Sequence, residues 1–450
     1  MPSSPAERAA IWGFGREGAA AFAHLCATRP ELELTILNDT PLNDAPEGAR
    51  VLIGEDALAA LRSGAFGLVV KSPGISLYGP EVAAAQAQST QFTSVTNLWF
   101  AQYPDARTII VTGTKGKSTT SRLIHHLLVA AGLDTQLLGN VGVPALGQKP
   151  GRDWTVFELS SYQLADFQHA GDLALITNLY PEHAPWHGGV ETYYRDKLRA
   201  VRDDRTRAIV NHADSELRAR LSARTNLRWY NDETGFHERG GRLFFGADEV
   251  EVRNFALRGA HNIANLAAAC TICDEIGLHD LRICVDMAGF AQLHHRLEEF
   301  HAGTALCVDD SISTVPQATL AALAAYRDRP TILLVGGSDR GQDYTELAEA
   351  LIAAPIHTLV LMPVTGARLR EALQGRATFE IIEAPGLAIA VAEAMKRVPE
   401  DGVVLLSPAA PSFQEFRNFE ERGARFKALC RERAGDNLLP EGEGGSAGAG

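Results

Sequence analysis

A glycine-rich turn with two lysines and three hydroxyl side chains is the stretch of this sequence best suited to chemistry. It comprises Gly113, Thr114, Lys115, Gly116, Lys117, Ser118 and Thr119. Glycines let backbone N–H groups turn inward around phosphate oxygens, and a helix N-terminus adds partial positive charge. A lysine can neutralise the β- and γ-phosphates, and a serine hydroxyl can ligate Mg²⁺. The turn predicts a phosphate-binding loop, and an ordinary capped turn is the alternative.

The segments on either side of the turn support a phosphate loop. Thr108–Thr112 is a β-branched run, which predicts a buried strand. Apolar residues then recur at helical spacing from Leu123 to Ala131. Two residues separate Gly113 from the Gly116-Lys117 pair, fewer than in the general phosphate-loop pattern. The motif is therefore a compressed form.

Further ligand-type side chains follow predicted strands downstream of the loop. Glu158 stands at the end of an apolar run that predicts a strand. Phosphate-loop enzymes place an acidic Mg²⁺ ligand at such a strand end, and a solvated loop glutamate is the alternative. The segment Tyr180–Gly188 holds two histidines and a glutamate. Because no second His or Cys pair has matching spacing, Mg²⁺ with one histidine and several oxygens is favoured over zinc. Lys197 lies on a helix predicted over Tyr193–Val201.

Two asparagines and an arginine later in the chain are further candidates. Asn262 and Asn265 are three residues apart, so they share one face of a predicted helix. Their amides could read the edge of a base. The alternatives are that Asn262 caps the helix and that Asn265 faces solvent. Arg296 could hold a ribose or phosphate, or form an ordinary ion pair.

The N-terminal segment has the pattern of a nucleotide-binding βαβ unit. A strand over Ala9–Trp12 enters Gly13–Gly18, a G-x-G-x-x-G turn, and a helix follows over Glu17–Ala27. The next strand, Leu32–Leu37, ends at Asn38-Asp39, and a third, Gly67–Lys71, enters the turn Ser72-Pro73-Gly74. The pattern fits a phosphate-bearing nucleotide or plain helix–strand packing. A nicotinamide dehydrogenase would leave the second phosphate loop unexplained.

Strands and helices alternate in the C-terminal part, which predicts a parallel sheet. The predicted strands are Thr304–Val308, Thr331–Val335, Thr358–Met362 and Val403–Leu406. The predicted helices lie near Pro316–Tyr326, Tyr344–Ala353, Leu387–Lys396 and Phe413–Arg431. Polar clusters follow three of the strands, at Asp309–Thr314, Gly336–Gly341 and Ser407–Ser412. Open α/β sheets bind ligands at such strand ends, and helix capping is the alternative for each cluster.

These elements and the length of 450 residues predict an α/β protein of three domains. We expect a Rossmann-like domain over residues 1–100, a phosphate-loop domain over 101–299 and a second Rossmann-like domain over 300–433. The Gly- and Glu-rich tail over 434–450 is predicted to be disordered.

Composition narrows the class of protein. A net charge of −13 disfavours a nucleic-acid partner, which would require a basic face. No apolar run is long enough for a membrane span, and the N-terminus lacks the features of a signal peptide. Six scattered cysteines do not indicate a disulfide framework, and Cys270 and Cys273 lie in an apolar helical pattern that predicts core thiols. We expect a cytoplasmic, monomeric enzyme.

Taken in order, these motifs resemble the Mur ligases, and among them the enzymes that add glutamate to UDP-N-acetylmuramoyl-L-alanine in peptidoglycan synthesis. The resembling stretches are GTKGKST, ELSSYQL, NLYPEH, HNIANLAAA, HHRLE, GGSDRGQDY and LSPAAPSFQEFRNFEERG, spread over about residues 10–430. A folylpolyglutamate synthase would lack the first domain and the last motif. An inactive nucleotide-binding scaffold would be expected to lose Lys117, Glu158 or Lys197, and all three are present.

The resemblance implies ATP and Mg²⁺ as cofactors and an acyl phosphate as intermediate. Residues Gly113 to Thr119 would hold the phosphates, Asn262 and Asn265 the adenine, and Arg296 and Asp310 the rest of ATP. Ser118 and Glu158 would hold one Mg²⁺, and His183 a second. Lys197 matches a lysine that is carbamylated in the family and then ligates that second metal. The implied catalytic residues are Lys117, Glu158, His183 and Lys197.

The resemblance also assigns residues to the two other substrates. Those expected near the uridine diphosphate are Gly15, Arg16, Asp39, Ser72, Pro73 and Gly74. Those expected near the N-acetylmuramoyl-alanine arm are Asn140, Ser160, Gln163 and His183. Those expected in the glutamate pocket are Thr314, Arg340, Ser412 and Phe419.

The sequence departs from the family pattern in the glutamate pocket. Asp310-Ser311-Ile312-Ser313-Thr314-Val315 stands where the D-glutamate enzymes usually read D-S-K-A-T-N, and Arg340 replaces a lysine. Arginine offers a planar fork to a carboxylate where lysine offers a point charge. The altered pocket resembles a branch that adds L-glutamate, so we favour L-glutamate and keep D-glutamate as the alternative.

Overall fold

The structure is a computed structural model that describes residues 7–42, 45–140, 144–290, 294–339, 341–413 and 415–435. The chain divides into two compact units, one of Met1–Phe255 with Ala260–Phe290 and one of Ala256–Gly259 with Ala291–Gly450. Two parallel sheets lie in the first unit, and a largely parallel sheet lies in the second. The α/β class is confirmed, whereas the domain boundaries stay predictions.

The first sheet of the first unit follows the predicted βαβ pattern. Its parallel strands, in the order β3-β2-β1-β4-β5, are β1 (Arg8–Trp12), β2 (Glu33–Asn38), β3 (Arg50–Ile53), β4 (Leu68–Lys71) and β5 (Gln91–Thr93). Its helices are α1 (Arg16–Thr28), α2 (Glu55–Arg62), α3 (Pro80–Ala87) and α4 (Val95–Gln102). Because β1 lies between β2 and β4, the loops after these three strands meet at one edge of the sheet.

The second sheet carries the glycine-rich loop on a central strand. Its parallel strands, in the order β11-β10-β9-β6-β8-β7, are β6 (Thr108–Thr112), β7 (Thr135–Gly139), β8 (Trp154–Glu158), β9 (Leu173–Ile176), β10 (Arg207–Asn211) and β11 (Leu227–Tyr230). Its helices are α5 (Lys117–Ala130), α6 (Ser161–Leu164), α7 (Ala184–His187), α8 (Val190–Leu198) and α9 (Ser215–Leu221). The ends of β6, β8 and β9 are adjacent, so the loops that follow them converge.

Smaller elements complete the first unit. The short strands are β12 (Phe236–Arg239), β13 (Arg242–Phe245), β14 (Asp248–Glu249), β15 (Glu251–Arg253) and β16 (Cys284–Asp286). The helix α10 (Ala260–Glu275) buries its middle, Leu266–Cys270, in the same hydrophobic core as α5. Cys270 and Cys273 are fully buried there, which confirms the prediction of core thiols.

The second unit holds a sheet in the order β17-β18-β22-β19-β20-β21. Its strands are β17 (Glu298–Ala302), β18 (Ala305–Asp309), β19 (Thr331–Val335), β20 (Ile356–Leu361), β21 (Glu380–Glu383) and β22 (Val403–Leu406). Its helices are α11 (Pro316–Ala325), α12 (Thr345–Ala353), α13 (Thr365–Leu373), α14 (Leu387–Arg397) and α15 (Phe419–Ala434). The strand β17 is antiparallel to β18, a hairpin edge that the alternating pattern does not predict.

The predicted start of the last helix at Phe413 is wrong, because α15 begins at Phe419. Asn418 caps it, with its side chain accepting a hydrogen bond from the N–H of Glu421. Most of the tail predicted to be disordered lies outside the described residues. Among the described residues, none of the helices combines the length and apolarity needed to cross a bilayer.

Candidate active site

The loop between β6 and α5 takes a shape that requires glycine at two positions. Gly113 has φ of +138°, and a Cβ there would lie 1.9 Å from Thr177 Oγ1. Gly116 has φ of +84°, and a Cβ there would lie 2.6 Å from Asn265 Oδ1. Any other residue would be both strained and obstructed. The conformation of the loop therefore requires both glycines, as expected for a loop that wraps around phosphate groups.

The loop is held in place by residues that follow β9. Asn178 accepts hydrogen bonds from the N–H groups of Thr114 and Lys115, through its backbone and side-chain oxygens, at 2.9 and 2.7 Å. Thr177 Oγ1 donates to the Lys115 carbonyl at 2.6 Å. Thr114 Oγ1 lies 2.8 Å from the hydroxyl of Tyr193. These contacts fix the backbone before any ligand arrives.

The two lysines of the loop have different surroundings. Lys117 Nζ donates to the Thr114 carbonyl at 3.0 Å, so its ammonium group lies over the loop. Lys115 Nζ forms a 2.7 Å ion pair with Glu182 Oε1. Burial raises the pKa of Glu182, but Lys115, His183 and Lys117 together outweigh burial, and the net pKa lies below the ordinary value. A carboxylate next to His183 in the sequence thus compensates the charge of Lys115.

Glu158 and Ser118 lie together at the ends of neighbouring elements. Ser118 Oγ donates to Glu158 Oε1 at 3.0 Å, and Asn140 Nδ2 donates to the same oxygen at 3.0 Å. The side chain of Glu158 is fully buried. Its other oxygen, Oε2, has no hydrogen-bond partner among the residues that the structure describes. A buried carboxylate oxygen without a partner is costly unless a cation pairs with it.

Lys197 points from α8 into the phosphate loop. Its Nζ donates to the Gly113 carbonyl at 2.6 Å, and the residue is 2% exposed. Burial and the nearby Lys117 ammonium lower the pKa of Lys197 well below its ordinary value. This shift favours the neutral amine, which is the form that reacts with carbon dioxide to give a carbamate.

His183 lies just before α7 in a strained conformation. Its φ is +54°, in the left-handed region that non-glycine residues rarely adopt. Burial lowers its pKa, the Glu182 carboxylate opposes this, and the ammonium groups of Lys197, Lys115 and Lys117 lower it further. The net shift favours the neutral imidazole, the form that ligates metals.

Asn265 on α10 contacts the start of α5. Its Oδ1 accepts a hydrogen bond from Thr120 Oγ1 at 3.3 Å, and its Nδ2 donates to Asn262 Oδ1 at 3.2 Å. Asn265 faces the phosphate loop, where a Cβ at Gly116 would lie 2.6 Å from its Oδ1, so the alternative that Asn265 faces solvent is wrong. Their contact with adenine stays a prediction.

The residues expected near the uridine diphosphate lie at the edge of the first sheet where its strand order reverses. Gly15 and Arg16 follow β1, Asp39 follows β2, and Ser72, Pro73 and Gly74 follow β4. Ser72 Oγ donates to the Gly13 carbonyl at 2.6 Å, which holds two of these loops together. The side chain of Asn38 accepts from the Phe14 N–H at 3.1 Å. This crevice is where open α/β sheets bind nucleotides.

Ser160 and Gln163 have a structural role in addition to the substrate contacts expected of them. They form a reciprocal capping box at the start of α6. Gln163 Nε2 also donates to Glu17 Oε1 on α1 at 3.1 Å. Burial raises the pKa of Glu17. The pair thus connects the loop after β8 to the first helix.

In the second unit, Asp310 follows β18 and is almost fully buried. It accepts hydrogen bonds from Ser313 Oγ at 2.5 Å and Ser407 Oγ at 2.7 Å. Burial raises its pKa to about 6, against the opposing effects of those hydroxyls and of Arg296. Arg296 itself lies between His295 and Leu297, which have φ of +63° and +47°. Such strain is common at functional sites.

The residues expected in the glutamate pocket follow β18, β19 and β22. Ser412 lines a cavity of about 280 Å³ together with Gly336, Gly337, Phe416 and Arg422. Phe419 opens α15, and its carbonyl accepts from Ser311 Oγ at 2.9 Å. Thr314 accepts from Gln342 Nε2 at 3.4 Å through its carbonyl, and does not line this cavity. Arg340 lies outside the described residues.

Comparison with known proteins bears on this arrangement. The model of the Mur ligase middle domain matches residues 111–273. A relative from Xanthomonas euvesicatoria pv. vesicatoria, named UDP-N-acetylmuramoyl-L-alanine--L-glutamate ligase, is 40% identical over 443 residues, 94% of each chain. A relative of the same name from Salinispora tropica is 39% identical over 445 residues, 95% of this chain and 98% of the relative. The chain belongs to the Mur ligase family.

A solved structure supports the fold of this Mur ligase. UDP-N-acetylmuramate-alanine ligase MurC from Thermotoga maritima matches with a TM-score of 0.59, over 94% of this chain and 99% of that chain, at 18% identity. At that identity the match bears on the fold alone.

The donor set of this Mur ligase fits Mg²⁺. Ser118 and Glu158 offer the oxygen atoms that Mg²⁺ prefers, and the unpaired Glu158 Oε2 is the kind of group that a cation would compensate. His183 as the neutral imidazole and Lys197 as a carbamate could contribute ligands to a second Mg²⁺ site.

Sequence reasoning missed two residues that organise the site of this Mur ligase. Asn178 anchors the phosphate loop, and its position at the end of a predicted strand was the available signal. Arg422 is buried and donates to Ser311 Oγ, the Ser311 carbonyl and the Ala410 carbonyl at 2.9, 2.8 and 3.0 Å. It lies within the motif LSPAAPSFQEFRNFEERG, but only the fold shows that its guanidinium joins two loops.

Proposed function

We propose that this chain is an ATP-dependent amide ligase that joins L-glutamate to the alanyl carboxylate of UDP-N-acetylmuramoyl-L-alanine in peptidoglycan precursor synthesis. The carboxylate takes the γ-phosphoryl group of ATP, giving an acyl phosphate and ADP. The amine of glutamate then attacks the acyl carbon, and inorganic phosphate leaves as the amide forms.

The observation that carries the proposal is the phosphate loop with Ser118 3.0 Å from the buried Glu158. Backbone N–H groups between Gly113 and Thr119 would cradle the ATP phosphates, and Lys117 would neutralise charge on the transferring group. Ser118 and Glu158 would hold one Mg²⁺, with His183 and carbamylated Lys197 at a second. When bound, Mg²⁺ supplies charge neutralisation at the phosphoryl oxygens.

Each sheet has a separate part in the proposed reaction. The crevice of the first sheet, with Gly15, Asp39 and Ser72, would bind the uridine diphosphate. Residues after β7 and β8, namely Asn140, Ser160 and Gln163, would guide the N-acetylmuramoyl-alanine arm toward the phosphate loop. The proposed domains are residues 1–100, 101–299 and 300–433.

The choice of L-glutamate rests on the altered pocket and on the names of the relatives. The two relatives described above are both named as L-glutamate ligases. Ile312, Val315 and Arg340 replace residues usual in the D-glutamate enzymes. The loop that carries Ile312 is held by Arg422, which also borders the cavity with Ser412.

The test is an assay of the purified chain with ATP, Mg²⁺, UDP-N-acetylmuramoyl-L-alanine and each enantiomer of glutamate. We expect ADP release that depends on both carbon substrates, with L-glutamate used at least about tenfold better, a difference of about 1.4 kcal/mol. Equal or better use of D-glutamate would contradict the proposed preference for L-glutamate, but it would leave the proposed ligase activity standing. ADP release without amide product would contradict the ligase reading.

A further inference from the structure

A hydrogen-bond network joins the turn after β4 to the helix that carries Lys197. Trp186 Nε1 donates to the Gly74 carbonyl at 2.8 Å, and Ser76 Oγ donates to the Trp186 carbonyl at 2.7 Å. Tyr78 then donates its hydroxyl to Asp196, with its oxygen 2.8 and 2.6 Å from the two carboxylate oxygens. The turn that is expected to contact the diphosphate is thus bonded to α7 and α8.

The Asp196 side chain is fully buried and has partners on several sides. His187 Nδ1 lies 2.7 Å from Asp196 Oδ2, and His187 Nε2 lies 3.1 Å from Ser161 Oγ. The guanidinium groups of Arg195 and Arg199 lie 3.7 and 3.6 Å from Asp196 Oδ1. A carboxylate is expensive to bury, and these partners compensate for the cost.

Ser161, His187 and Asp196 have the hydrogen-bond order of a nucleophilic triad, but their burial argues against that use. Their exposed fractions are 3%, 1% and 0%, so a scissile carbonyl cannot approach the Ser161 hydroxyl. The network ends instead at Asp196, the neighbour of Lys197 in the sequence. Its chemistry is to hold a helix, not to attack a substrate.

The last turn of helix α8 makes contacts that contribute to its position. Gly188 and Gly189 precede it with φ of +72° and +142°, and no side chain caps its start. Successive helical residues point in different directions, so Asp196 and Lys197 bond to different neighbours. Asp196 reaches Tyr78 and His187, whereas Lys197 reaches the Gly113 carbonyl. These two adjacent side chains set where the Lys197 amine lies.

We propose that Tyr78 and Asp196 are positioning residues that hold Lys197 against the phosphate loop and tie its place to the turn that receives the UDP substrate. This inference rests on the proposed function. Asp196 would then support the reaction by positioning Lys197, although its own side chain is buried and does not contact the substrate.

The test compares Tyr78→Phe, Asp196→Asn and the double variant with the wild-type chain. Tyr103→Phe is the matched control, because it also removes a tyrosine hydroxyl from the first unit but lies at the end of α4. One readout is kcat and KM in the ligase assay. The other is the ¹³C NMR signal of a lysine carbamate formed in ¹³C-bicarbonate, identified by its absence in Lys197→Ala.

We expect Tyr78→Phe to lower kcat about tenfold, since it loses one hydrogen bond to a charged group, and Asp196→Asn to lower kcat at least as much, since it removes a charge that several partners share. KM for ATP should change little in both variants. The carbamate signal should weaken in parallel. The losses in the double variant should be less than additive, because both changes weaken the same contact between Tyr78 and Asp196. Tyr103→Phe should behave as the wild type.

Wild-type kcat and carbamate signal in both single variants would overturn the inference, even if their melting temperatures fell. Additive losses in the double variant would also overturn it, since the two residues would then act separately. If Asp196→Asn does not fold, Tyr78→Phe decides alone. If the wild type forms the carbamate but no amide, the proposed function fails, and the signal in Tyr78→Phe still decides the positioning role.

Discussion

Ser118 donates a hydrogen bond to one oxygen of the buried Glu158 carboxylate over 3.0 Å, while the other oxygen has no hydrogen-bond partner among the described residues. Ser118 lies in α5 and Glu158 lies in β8, and the two residues are forty positions apart in the chain. Their contact puts a desolvated negative charge directly beside the phosphate loop. Such a charge is compensated well by a divalent cation and poorly by the protein alone.

Glu158→Gln should therefore separate activity from stability. We expect turnover to fall by about 100-fold or more, because the neutral amide is a weak Mg²⁺ ligand at a site where charge builds up. Thermal stability should stay equal or rise, since burying an amide costs less free energy than burying a carboxylate. Steady-state kinetics over a Mg²⁺ titration and a melting curve check both parts. Glu249→Gln, at an exposed ion pair with Arg242, serves as the control.

Lys117→Ala should abolish ATP-dependent ligation without unfolding the chain. The Lys117 ammonium group lies over the loop, 3.0 Å from the Thr114 carbonyl, so its loss removes phosphate-neutralising charge. We expect turnover to fall by about 100-fold or more, with the circular-dichroism spectrum unchanged. Lys149→Ala, an exposed lysine, should retain activity. Near-normal turnover in Lys117→Ala would refute the phosphate-loop assignment.

Lys197→Ala should be nearly inactive and open to chemical rescue. The buried amine has a strongly lowered pKa and lies 2.6 Å from the Gly113 carbonyl, where a carbamate would bring an anionic oxygen ligand. Acetate or a similar short carboxylate should restore part of the turnover of the alanine variant. Lys396→Ala, at an exposed position, should need no rescue. Full activity of Lys197→Ala without additives would show that the amine has no part in the reaction.

Features set by neighbouring residues were predictable from the sequence. The phosphate loop is one, because Thr108–Thr112, the glycines and α5 follow one another without interruption. The helix α15 shows the limit even for local features. The apolar residues Phe413 and Phe416 suggested an earlier start, but the Asn418 cap fixes the start at Phe419.

Contacts between distant segments were not predictable. Nothing near Tyr78 indicates a bond to Asp196, which is 118 residues away. Arg422 lies in a run of charged residues that predicts exposure, yet it is 3% exposed, because the loops after β18 and β22 close over it. Such roles depend on which strands are neighbours in the sheet, and a single sequence does not state that order.

Asp310 should give the second unit a measurable dependence on pH. Burial raises its pKa to about 6, whereas an aspartate in an unfolded chain titrates near about 3.9. Between these values the folded state keeps a proton that the unfolded state has released, so this residue lowers stability as the pH rises. The shift corresponds to about 3 kcal/mol, reached above the folded pKa.

Asp310→Asn should remove that dependence. We compare the free energies of unfolding of the variant and the wild type at each pH. The stability of the variant relative to the wild type should increase by about 3 kcal/mol from about pH 4 to about pH 7. Lost hydrogen bonds with Ser313 and Ser407 add a constant offset that does not change this slope. Urea titrations across that range measure it, with the exposed Asp328→Asn as control. A difference that does not vary with pH would contradict the raised pKa.

Arg422→Lys should weaken the use of glutamate while leaving the first unit intact. The guanidinium donates three hydrogen bonds that join the loops at Ser311 and Ala410, and burial lowers its pKa to about 10. An ammonium group cannot reproduce that planar fork. A Cβ at Gly337 would lie 3.2 Å from Arg422 Nη1, so the surrounding backbone has little room to adjust.

We expect Arg422→Lys to lose about 3 kcal/mol of stability, because two of the three charge-assisted bonds are left unmade. KM for glutamate should rise about tenfold or more, since these loops border the cavity lined by Ser412. KM for UDP-N-acetylmuramoyl-L-alanine should change little, because the residues assigned to it lie in the first unit. Arg425→Lys, three residues further along α15 at an exposed ion pair with Glu432, is the matched control. Equal rises in both KM values would show that Arg422 supports the fold in general and not the glutamate pocket.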